Sequence, residues 1–190
     1  GIRVEPAPRA IESRAFAFMG SAVSSEKPKL LVIREIVRQM RATHQLGKKI
    51  LFVGGPAIIH TGAGAHLERL IEKRYVDVLF AGNALAAHDI EAAFFGTSLC
   101  ISLSSGASVE HGHEHHLRAI NRIRAAGSIA DAVKKNILKS GVMCACVKRR
   151  VPFVLSGSPR DDGPLPDVIT DMLQAQDTMR AHLRDVGLAL

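Results

Sequence analysis

The stretch 49–65, KILFVGGPAIIHTGAGA, limits what this chain can fold into more than any other. Ile50, Leu51, Phe52 and Val53 form a short continuous apolar run, the pattern of a strand covered on both faces. Gly54-Gly55-Pro56 breaks the run. His60-Thr61-Gly62-Ala63-Gly64 then brings hydroxyl, imidazole and bare backbone together before a helical stripe starts at Leu67. Such a turn lets backbone N–H groups approach a phosphate or carboxylate, because no Cβ stands in the way. A βα turn that needs glycine for geometry alone reads the same way.

The rest of the chain repeats the alternation. Apolar runs at 76–81 and 152–155 predict strands that end at Gly82-Asn83 and Ser156-Gly157-Ser158, and 99–103 predicts another. Helical spacing runs through Leu30, Ile33, Val37 and Met40, opened by Ser24-Ser25-Glu26 and stopped by Gly47. Further helices are expected at Leu67, Leu70 and Ile71, over 88–95, over 115–126, after the Ser128 cap, and over 141–150. A last one takes Val168, Met172, Met179, Leu183 and Val186 as its stripe. This order predicts an α/β fold, a Rossmann-like, mostly parallel sheet with helices on both faces. Ligands of such sheets bind beyond the carboxyl ends of the strands, so three glycine-ended turns facing one crevice would make a site.

With 190 residues, 47% of them hydrophobic, a single domain is expected. Residues 1–20 read as a tail or linker from an upstream domain. Residues 21–190 read as the α/β domain, lacking its C-terminal part, because Val186-Gly187-Leu188-Ala189-Leu190 is apolar with no closing signal. No apolar run approaches the roughly 18 residues of a membrane span, and no signal peptide is visible, so no membrane partner is expected. Three cysteines, Cys100, Cys144 and Cys146, make no disulfide framework and suit a cytoplasmic setting. The net charge of +7 is spread along the chain, and one Tyr with no Trp offers few stacking platforms, which argues against nucleic acid.

Three turns carry the candidate chemistry. In the first, Gly62-Ala63-Gly64 starts like a dinucleotide fingerprint but runs on to Leu67 where glycine is required. In the second, Asn83 can donate and accept, and Asp89 suits a ribose hydroxyl or an ammonium, whereas Glu91 reads as an ordinary helix-start acid. The third, 157–167, holds Asp161, Asp162 and Asp167 beside Pro164 and Pro166, a setting for a cation or a diol, or a plain turn with a helix cap. His111, His113, His115 and His116 match no common zinc spacing, so no metal ligands are assigned. Proton transfer or a phosphate contact suits them better. Cys144 and Cys146 read as buried thiols.

Taken together, GGPAIIHTGAG, LFAGNALAAHDIE, GTSL, GHEHHLRAINRIRAAGSI and PFVLSGSPRDDGPLPDVITD resemble the LOR/SDH family over about 16–190. This is the group of archaeal-type ornithine cyclodeaminases, also found as the C-terminal part of cyanobacterial arginine dihydrolase fusions. The resemblance implies an NAD-binding fold similar to that of deoxyhypusine synthase. By it, Gly55, Pro56, His60, Thr61, Gly62, Ala63, Gly82, Asn83, Ala84, Asp89, Asp162 and Gly163 are cofactor-binding candidates. The implied reaction converts L-ornithine to L-proline and ammonia with tightly bound NAD, which takes a hydride from the α-carbon and returns it to the cyclic imine. Asp161 and Asp162 are then candidates for holding ornithine's ammonium groups, and His88, His113 and His116 for acid–base work. Family members carry a further domain upstream and a further helix and strand downstream, so a homo-oligomer or a complementing chain is the expected partner. Cys100 stands where the family has Gly, Pro159 where it has Ile, and Cys144-Ala145 where it has Tyr-Glu. No counterpart of the catalytic lysine of deoxyhypusine synthase is visible, which argues against spermidine transfer. Two rival readings remain: a non-catalytic nucleotide- or partner-binding module, and an NAD-dependent amino-acid dehydrogenase.

Overall fold

A computed structural model describes residues 29–98, 101–102, 112–161 and 163–190. The chain divides into two units, Gly1–Gln39 and Met40–Leu190. Helix α1 (Lys29–Gln45) starts in the first, where Arg38 pairs with Glu35 at 2.8 Å, and ends in the second, where Met40 and Thr43 are buried. The predicted cap Ser24-Ser25-Glu26 lies outside the described residues.

In the second unit β1 (Lys49–Gly54) leads into α2 (Ala57–His60) and α3 (Gly64–Glu72). Strand β2 (Val78–Gly82) leads directly into α4 (Asn83–Phe95), which Gly96 ends in the left-handed conformation. After β3 (Thr97–Ser98) and β4 (Ile101–Ser102) come α5 (Gly112–Ala126), α6 (Ile129–Lys134) and α7 (Val142–Arg149). The chain finishes with β5 (Phe153–Ser156), β6 (Val168–Ile169), α8 (Met172–His182) and β7 (Val186–Ala189).

Five strands form one sheet in the order β6-β5-β2-β1-β7, and every pairing in it is parallel. The pleat sorts β2 to two faces. Leu79 and Ala81 join the larger core with α3, α4, α5, α6 and α7, while Val78 and Phe80 join Leu51 and Val154 in a smaller core packed by Met179 of α8. Helices therefore cover both faces, as the alternation of runs predicts. From β1 the chain steps outward to β2, β5 and β6, then returns to place β7 on the other side of β1. The topological switch point lies at β1.

Two expectations need correction. The strand at 99–103 is, among the described residues, a two-rung antiparallel pair, Thr97 with Ser102 and Ser98 with Ile101, separate from the parallel sheet. The single last helix is instead β6, α8 and β7. Val168 and Val186 fit helical spacing, but the Asp171 carboxylate caps α8 at Leu173 and Gln174 N–H, which starts the helix after Val168. The apolar run 186–190 pairs with β1 on one side and forms the edge of the sheet. The Leu190 N–H donates to Leu51 O, and Leu190 O accepts from Val53 N–H.

Candidate functional site

Parallel pairing brings the strand ends into line. Gly54 is opposite Ala81, Gly82 is opposite Ser156, and Ser156 is opposite Ile169. The three turns picked out from the sequence therefore leave one edge of the sheet side by side. Beyond β1, Gly55 is exposed, and Pro56 starts α2 with no side-chain cap. The Thr61 hydroxyl donates to Ala57 O at 2.8 Å, Gly62 turns the chain with φ +78°, and Ala63 precedes α3.

Beyond β2, Gly82 is extended and no side chain caps α4, so the first N–H groups of a 13-residue helix, from Asn83 and Ala84 on, face the strand ends without a side-chain acceptor. Asn83 itself is buried, and its Oδ1 accepts from Leu165 N–H at 3.0 Å. It ties the third turn to the second rather than presenting that oxygen outward.

Asp89 departs from the expected ligand role. It is buried, and its two oxygens accept from Val142 and Met143 N–H at 2.9 and 2.8 Å, which caps α7 from a different helix. Burial pushes its carboxyl up to about 6, against those two N–H groups, which lower it. Both oxygens are spent on the fold, so a ribose or ammonium contact is withdrawn.

Beyond β5, Gly157 lies against Thr170 Cα, 3.1 Å from where a Cβ would stand. A cavity of about 240 Å³ opens here, lined by Gly157, Ser158, Asp161, Pro164 and Thr170 among others. One Asp161 oxygen accepts from Ser158 N–H at 2.8 Å, so the carboxylate is anchored at the rim. Gly163 has φ +94° and sits against the Arg124 guanidinium, which donates to Pro164 O at 3.0 Å. Asp167 caps α6 by accepting from Ile129 N–H at 2.8 Å. Asp162 lies outside the described residues.

A second constellation forms between α2, α4 and α5. Glu91 is fully buried, and its Oε2 accepts from His88 Nδ1 at 3.0 Å. Its Oε1 accepts from Thr97 Oγ1 at 3.0 Å, and that hydroxyl is 3.1 Å from His115 Nδ1. His116 Nδ1 stands 3.6 Å from Glu91 Oε2, and among the described residues it is a buried polar atom with no hydrogen-bond partner. The His60 ring meets His88 edge-on at 4.7 Å, and its Nδ1 is 2.7 Å from Ser98 Oγ. Burial would raise the Glu91 carboxyl, but the surrounding His116, His88 and Thr97 outweigh it and hold it at about 2. Burial, with the neighbouring His88 charge, lowers His60, against Glu91. An ionised carboxylate only accepts, so the His88 proton sits on Nδ1.

The structure thus gathers His88 and His116 around Glu91, with His60 against His88, so Glu91 rather than Asp89 is the acid at the centre of a polar cluster. His88 and Glu91, three apart on one helix, share a face, and that spacing was the available signal. The side chain of His113 lies outside the described residues. Cys144 and Cys146 are buried, and burial pushes Cys146 up to about 12, so both are inert packing thiols.

Residues 34–190 match the family described as arginine dihydrolase ArgZ-like, C-terminal, Rossmann fold. The chain is 54% identical over 196 residues to an ornithine cyclodeaminase of Methanocaldococcus jannaschii, covering all of this chain and 46% of that protein. It spans about half the length of the archaeal ornithine cyclodeaminases it matches, and a quarter of the bifunctional AgrE and ArgZ. A LOR/SDH protein from Methanococcus maripaludis S2 has a crystal structure that superposes with a TM-score of 0.85 at 48% identity, over 89% of this chain and 53% of that one. AgrE in ternary complex with ornithine and NAD+ superposes with a TM-score of 0.81 at 46% identity, over 84% of this chain and 24% of that one.

Proposed function

The chain belongs to the family of arginine dihydrolase ArgZ-like C-terminal Rossmann-fold domains, and from that premise we propose that it carries the NAD-binding part of an ornithine cyclodeaminase. The observation that supports this best is the alignment of the β1, β2 and β5 carboxyl ends beside the uncapped start of α4. Backbone N–H groups at a helix start favour a pyrophosphate, and the open turn at Gly55 leaves room for close approach. The residues present therefore fit a dinucleotide. Gly55, Pro56, His60, Thr61, Gly62 and Ala63 would border it from the first turn, Gly82, Asn83 and Ala84 from the second, and Gly163 from the third.

When bound, NAD supplies an acceptor and donor of hydride, so that L-ornithine can give L-proline and ammonia without net oxidation. The chain's own groups orient and manage protons. Asp161, with Asp162 next to it, is the candidate partner for an ornithine ammonium, because it rims the cavity beyond β5 and a carboxylate pairs with such a cation. His88 and His116, gathered on Glu91, are the candidate acid–base groups, with His113 nearby in sequence.

The test is to incubate the protein with NAD and ornithine and to follow proline, ammonia and NADH together. Proline and ammonia in equal amounts, with no accumulating NADH, is the expected result. Steady NADH release marks a dehydrogenase instead. Neither product, with no NAD bound, marks a non-catalytic module.

A further inference from the structure

Glu91 presents an unusual problem for a buried acid. It has no exposed surface, and no Lys or Arg pairs with it among the described residues. Among the described residues, two imidazoles and one hydroxyl offset the loss of water around the carboxylate, a loss that costs several kcal/mol for an ion. Beside it His116 Nδ1 is buried without a hydrogen bond among the described residues. These groups come from two helices and converge on one point, with the donor atoms of His88, Glu91 and His116 all within 4.8 Å of one another.

We propose that His88, Glu91 and His116 bind one divalent first-row transition ion, of which Zn2+ is the redox-inert representative. Two imidazole nitrogens and one carboxylate oxygen are donors that suit such ions. Bonds of about 2.0–2.2 Å put the donors of a tetrahedral ion roughly 3.4 Å apart. Glu91 Oε2 lies 3.0 Å from His88 Nδ1 and 3.6 Å from His116 Nδ1, on either side of that spacing. The widest side of the triangle, up to 4.8 Å, closes by about 1.4 Å as the two rings turn toward the ion. Thr97 holds Glu91 Oε1, which leaves Oε2 as the oxygen facing the histidines, and hydrogen bonds of this kind orient metal-binding carboxylates. Three protein donors leave a coordination position open for water or a small ligand.

Binding displaces the proton that His88 Nδ1 now shares with Glu91. Ion and proton are therefore alternative occupants of the cluster. The ion site shares His88 and His116 with the acid–base role proposed above, but its test reads metal binding alone and does not depend on that reaction.

The protein is stripped with a chelator and titrated with Co2+, and visible absorption and melting temperature are read. The expected result is one Co2+ per chain with the absorption of a low-symmetry nitrogen–oxygen site, a raised melting temperature, and displacement by Zn2+. His116→Ala removes a ligand without breaking any hydrogen bond of Nδ1. It should stay folded when metal-free with a lowered melting temperature, since His116 also stands beside the buried Glu91 carboxylate, and its Co2+ affinity should fall by about 100-fold or more. His116→Gln, closer in size, serves the same comparison should the alanine variant fail to fold. His66→Ala, at an exposed histidine, should leave the signal intact. No cobalt band in the unsubstituted protein, or a band that persists in the folded His116 variant, overturns the proposal.

Discussion

The carboxylate of Asp89 lies 2.8 Å from where a Cβ at Gly141 would stand, and this contact joins α4 to the start of α7. Gly141 has φ +99°, so a side chain there is strained even before it meets the carboxylate. Both Asp89 oxygens are needed to satisfy Val142 and Met143 N–H, which are buried in the largest core. Asp89→Ala leaves two buried donors unpaired and should cost roughly 3 kcal/mol in urea unfolding. Gly141→Ala should also destabilise the fold. Unchanged unfolding midpoints in both variants would show that the α7 cap carries no weight.

Asp167 gives a pH dependence with a definite sign. Burial raises its pKa above 3.8, partly offset by the N–H of Ile129. A raised pKa means that the fold favours the protonated carboxyl. The associated stability is present below about pH 4 and is lost as pH rises through the folded value. Asp167→Asn keeps an acceptor for Ile129 N–H but removes the titration. Plotted against pH, the difference in unfolding free energy between the two proteins should move in favour of Asn as pH rises from 4 to about 7. A flat difference contradicts the burial of Asp167.

Gly157 tests the strand ends themselves. A Cβ there would stand 3.1 Å from Thr170 Cα and 3.3 Å from Ile169 O, both backbone atoms that cannot step aside as a side-chain tip can. Gly157→Ala should force β5 and β6 apart at the cavity rim and lower stability by about 1–3 kcal/mol. NAD affinity should fall with it, read by equilibrium dialysis. Full affinity in a destabilised variant would move the cofactor away from the β5 end.

Much of this architecture was readable in the chain. The run through Leu79 and Phe80 and the run through Val154 are continuous apolar segments closed by glycine, because strands buried on both faces need little polar alternation. In Ile50–Val53 the same pattern ends on an exposed Val53. β6 and β7 were not readable. Two and four residues long, they carry too little pattern, and Val168 and Val186 fall equally well on a helical stripe. The exchange of roles between Asp89 and Glu91 has a related cause. From Leu85 to Glu91 every residue of α4 is buried, so the helix has no solvent face against which a special polar residue would stand out. Which acid turns to the α7 backbone and which to the histidines depends on α5 and α7, far along the chain. The three turns, in contrast, announced themselves by composition, and parallel pairing set them side by side.

The most direct test is to denature the purified protein and measure what it releases by absorbance and mass. Close to one NAD per chain is the predicted result, with added NAD raising the melting temperature of any cofactor-free fraction. No released NAD, together with a melting temperature that NAD does not move, would contradict a cofactor site at the ends of β1, β2 and β5.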